Sequence, residues 1–80
     1  MTTRHDILTQ SIEARENDIM LYQINIDNYR AAIAEIEANH AGKPHMEAYA
    51  ARMRELLKSS IEEQEKEAVL LKVIRLQLEG

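Results

Sequence analysis

Between Leu8 and Ile36 one apolar pattern runs almost unbroken. Ile12, Ile19, Ile26 and Ile33 recur in steps of seven, and Leu8, Tyr22, Tyr29 and Ile36 fill the alternate position. An apolar residue about every 3.5 places lies along one seam of a long helix. Arg15 alone interrupts the ladder. A seam of this length is unstable in water, so the rest of the chain is expected to cover it.

The remainder has the means. Good helix formers run from Thr3 to Asn39, where Thr2 or Thr3 can cap the first turn and Asp6 suits its positive end. The strong punctuation is His40-Ala41-Gly42-Lys43-Pro44. Gly42 suits the left-handed residue that ends a helix, and Pro44 suits the first turn of the next. Helix one is therefore expected over about 3–40, a turn over about 41–43 and helix two over about 44–78, all in one domain spanning 1–80. At about 1.5 Å per residue, helix one should be roughly 55 Å long. Ser59-Ser60 before Glu62-Glu63 resembles a capping box, and it leaves a break in helix two as a rival reading.

Folding the chain at Ala41-Gly42 brings two seams into phase. Ile36 meets Met46, Ile33 meets Ala50, Tyr29 meets Met53 and Ile26 meets Leu57. Further along, Tyr22 meets Ser60, Ile19 meets Gln64 and Arg15 meets Glu67. Ile12, Leu8 and His5 then meet Leu71, Ile74 and Leu78. The charged intruder of one seam lands opposite the acid of the other, and the bulky Tyr22 opposite a serine. Agreement at every level predicts an all-α fold, an antiparallel hairpin of two long, coiled-coil-like helices.

Two helices bury one seam each, and this chain carries more apolar surface than that. Helix two adds Tyr49, Leu56 and Leu70 on one shoulder and Ile61 on the other, with Val69, Val73 and Leu76 in its last turns. Helix one carries Met20, Leu21 and Ile24 on its back. A short chain with a small core gains from burying such surface against another protein. The expectation is a homodimer or higher homo-oligomer, two hairpins making a four-helix bundle, together with a second protein as partner.

Composition limits the chemistry. Cysteine is absent, which removes disulfides and thiolate sites. The N-terminus lacks the basic-then-apolar order of a secretory signal, and Ala68–Leu78 is too short and polar to span a bilayer, so a cytoplasmic protein without membrane contact is expected. The net charge is −4 and sits in the first half, where three arginines face seven acids. A dedicated nucleic-acid binder would lean the other way.

Arg15 and Glu67, with Tyr22, Ser60 and Gln64 nearby, make a polar layer whose role is read as structural: a charged pair in a seam fixes register. Glu37-x-x-His40 matches one step of a di-iron pattern, but that chemistry needs two such steps and two further carboxylates, so no metal or cofactor site is expected. Arg52, Arg54 and Lys58 form a basic cluster blunted by Glu47, Glu55, Glu62 and Glu63. Asp18, Asp27, Glu16 and Glu37 are read as solvated charges. No nucleophile motif or phosphate loop is present, and no catalytic residue is assigned.

These features point to a non-enzymatic protein–protein interaction module: a small helical adaptor, inhibitor or assembly factor, of a kind that phages and bacteria use as accessory proteins. The alternative is a nucleic-acid regulator built on a dimeric bundle, or an acidic rod that imitates nucleic acid and blocks a basic groove.

Overall fold

The computed structural model describes residues 2–80. They form two helices, α1 (Arg4–Asn39) and α2 (Pro44–Glu79), folded back on each other as an all-α hairpin. The rod measures 59 × 18 × 15 Å.

Local chemistry explains both ends of α1. The Thr3 hydroxyl accepts from the Asp6 amide at 3.2 Å, and the Asp6 carboxylate accepts from the Thr3 amide at 3.2 Å. This reciprocal capping satisfies two amides that the first turn would leave unpaired, and it selects Thr3 as the cap. At the other end the His40 amide donates to the Ile36 carbonyl at 2.8 Å. Gly42 then turns the chain at φ +85°, a conformation that side chains with a Cβ rarely adopt. Its amide donates to the Glu47 carboxylate at 3.1 Å, tying the turn to the start of α2.

Helix α2 runs through Ser59-Ser60 without a break. Ser60 is buried at 9% exposure, so its side chain lies on the covered face and starts no third helix. Its small side chain falls at the level that the pairing of the seams gives to Tyr22.

The buried apolar residues are Ile26, Ile36, Ala50, Met53, Leu71 and Ile74, and every one is a seam position. Leu8, Ile12, Ile19, Tyr22, Tyr29 and Ile33 are half-buried. A two-helix rod covers each seam from one side only, which leaves most seam side chains an edge in water. With cysteines at Ile33 and Ala50, mild oxidation should close an intramolecular disulfide readily, whereas cysteines at Ile33 and Leu71 should stay reduced. The reverse pattern in a thiol titration would rule out this register.

Candidate interaction surface

The polar layer lies toward the open end of the hairpin. One Arg15 nitrogen, Nη1, donates to both Glu67 oxygens, at 3.1 and 3.3 Å. Both side chains are partly shielded, Arg15 at 35% and Glu67 at 19% exposure. Asp18, one turn along α1, adds a looser contact to the same nitrogen at 3.8 Å. The pair is imperfect, because Arg15 Nε is buried with no partner. A side-on fork, with Nε and one Nη each donating to a carboxylate oxygen, would have used it.

Gln64 lies at the level of Ile19, as the pairing of the seams puts it. Its amide donates to the Ile19 carbonyl at 3.2 Å and to Gln23 Oε1 at 3.0 Å. Both amide hydrogens are spent there, and Gln23 thereby joins the layer. Periodicity places residues on a face; it does not tell which of several neighbours a flexible amide selects.

Two helix-one acids read as solvated are engaged across the hairpin. Glu16 accepts from Arg75 at 2.7 Å, and Glu37 accepts from Arg54 at 2.8 Å. All four side chains remain about half exposed, so each pair contributes at most about 1 kcal/mol. They sit near opposite ends of the rod and flank the seam. Arg54 is thereby drawn out of the basic cluster with Arg52 and Lys58.

The histidines stay apart from any cluster. The Lys43 ammonium reaches His40 Nδ1 at 3.4 Å, and His45 is exposed. Among the described residues no group of three His, Cys, Asp or Glu side chains comes together. No helix there is long and apolar enough to cross a membrane.

The surplus apolar surface divides into two faces. On the last turns of α2, Val69 is 65% exposed, Leu76 57%, Val73 45% and Leu70 40%. Tyr49, near the turn, is also exposed, while Leu56 and Ile61 between them are half-buried along the shoulders of the seam. On the back of α1, Met20, Leu21 and Ile24 are exposed, and so is Ile7, which the shoulder-by-shoulder reading missed. Ile7 lies two heptads before Leu21 on the same helix column, and that spacing would have revealed it.

The accessible area reflects the elongated 59 × 18 × 15 Å shape. The chain exposes 5863 Å². A folded monomer of its 9.2 kDa would expose about 4,900 Å². The excess, about 900 Å², is close to the roughly 800 Å² that each partner contributes to a standard interface.

No family model matches the chain, and no curated protein or solved structure is similar enough to count as a match.

Proposed function

We propose that this chain is a non-enzymatic interaction module, a small helical adaptor, inhibitor or assembly factor that works as a homo-oligomer in the cytoplasm. The carrying observation is the exposure of large apolar side chains on two separate faces of a two-helix rod. Water-exposed valine, leucine and isoleucine at this density destabilise a lone hairpin's solution state and favour association. One face serves self-association and the other engages a second protein. The charged flanks, Glu16–Arg75 and Glu37–Arg54, bridge the two helices beside the seam and leave both apolar faces free.

The first test is sedimentation equilibrium across micromolar concentrations. A dimer or larger species is expected, with thermal stability that rises with protein concentration because association adds to a small core. A folded monomer whose melting temperature is independent of concentration would remove the homo-oligomer from this reading.

A further inference from the structure

The back of α1 carries a second heptad seam, and its pattern is self-complementary. It runs from Ile7 to Ala38 in alternating steps of three and four, and every position along it is exposed. We propose that a second copy of this chain packs antiparallel along this face, with the two-fold axis between Leu21 and Ile24. The proposal rests on the homo-oligomer reading above and assigns its self-contact to α1.

Consider the levels outward from that axis. Leu21 meets Ile24 of the second copy, and symmetry repeats the contact, so the centre is apolar. Asn17 next meets Asn28 of the second copy, two amides able to bond each other. Ala14 meets Ala31, two small residues that let the backbones approach. Gln10 meets Glu35, an amide donor against a carboxylate. Ile7 meets Ala38 at the rim. Apolar faces apolar and polar faces polar at every level. Sliding the second copy by one heptad destroys the match, setting Asn28 against Ile24 in one direction and Asn17 against Leu21 in the other.

Charge selects the direction. A parallel pairing in register would set Glu35 against itself and Glu13 beside Asp18 of the second copy, and the second contact would occur twice. The antiparallel pairing puts Glu13 beside Ala34, Asp18 beside Asn25 and Asp27 beside Met20, with no acid facing an acid. Size agrees as well. The seam and its flanks supply about twenty residues per copy, at the lower end of the roughly 20–30 a side in a standard interface. The excess exposed area of the hairpin is of the matching order. In the resulting layer the α1 helices are central and the α2 helices outermost, so Val69, Leu70, Val73 and Leu76 stay open for a different protein.

The test uses the absence of cysteine from the chain. Ala14→Cys and Ala31→Cys variants are oxidised separately and as an equal mixture. The mixture is expected to give a disulfide-linked dimer, and either variant alone to give little; efficient linking of Ala14→Cys to itself would overturn the antiparallel arrangement. In parallel, Leu21→Glu and Val73→Glu are compared by sedimentation, with helix content followed by circular dichroism. Leu21 is 59% exposed in the hairpin, so its substitution should leave the hairpin folded. Because the charge enters the symmetric centre twice, the dimer dissociation constant should rise about 100-fold or more. Val73→Glu should leave it within a few-fold. If Val73→Glu abolishes the dimer and Leu21→Glu does not, the homo-oligomer stands and its placement on α1 is overturned. A wild-type chain that stays monomeric throughout overturns both.

Discussion

Replacing Ile26 with alanine is expected to lower the unfolding free energy by about 2–5 kcal/mol, the range for truncating a buried isoleucine. Ile26 is 2% exposed, and its level is bounded by Met53 and Ser60, both buried. An 80-residue chain has roughly 4–12 kcal/mol in total at typical values per residue. One truncation therefore removes a large share of the stability, because a single seam has few residues to spread the loss over. The side chains around the deleted atoms sit on two stiff helices, which limits how far the cavity can collapse. Val69→Ala is the control: Val69 is 65% exposed and lies off the α1 back face, and its substitution should change stability by about 0.5 kcal/mol or less. Urea unfolding at one fixed protein concentration gives both values. Equal small losses at the two positions would mean that Ile26 is not in the core.

The second large effect belongs to the ion pair in the seam. Arg15→Leu leaves the Glu67 carboxylate 19% exposed and without its hydrogen bonds from Arg15. The loss should be about 2–3 kcal/mol, below the figure for a fully buried pair because water still reaches one edge. Glu67→Leu should cost less, about 1 kcal/mol. Arg15 keeps the nearby Asp18 and is 35% exposed. The double variant Arg15→Leu, Glu67→Leu should recover most of the loss, since it leaves neither charge without a partner in the seam. A coupling energy near zero in the double-mutant cycle would mean that the contact contributes nothing in solution.

Register is the other readout of the same variants. Sliding α2 by one heptad would set Arg15 against Ser60 or Ile74 and Glu67 against Tyr22 or Leu8. Each alternative leaves charge without a partner, so the pair penalises slipped hairpins more than it stabilises the correct one. In the double-leucine variant that penalty is gone. Cysteines at Ile33 and Leu57, one heptad out of register, should then begin to cross-link where they do not in the native background.

The architecture was largely legible from residue order because it depends on local rules. Gly42 and Pro44 place the turn, the threonines at 2 and 3 with Asp6 place the start of α1 to within a residue, and heptad spacing decides which side chains line each seam. Pairing the seams about that turn also put Arg15 opposite Glu67, since an antiparallel hairpin with a short turn has one register in which apolar levels coincide. What residue order left open concerns the seam's edges. Glu16 and Glu37 read as free charges, yet Arg75 and Arg54 reach them from α2. Gln64 bonds Gln23 as well as the Ile19 carbonyl, which brings Gln23 into the polar layer. Arg15 Nε is left unpaired although its neighbour Nη1 bonds twice. Leu56 and Ile61 are half-covered, whereas Val69 and Leu76 stand in water. Periodicity fixes the angle of a side chain around its own helix. The approach of the second helix and the rotamers of long side chains decide whether a flanking residue is covered, paired or left exposed, and those are properties of the packed pair.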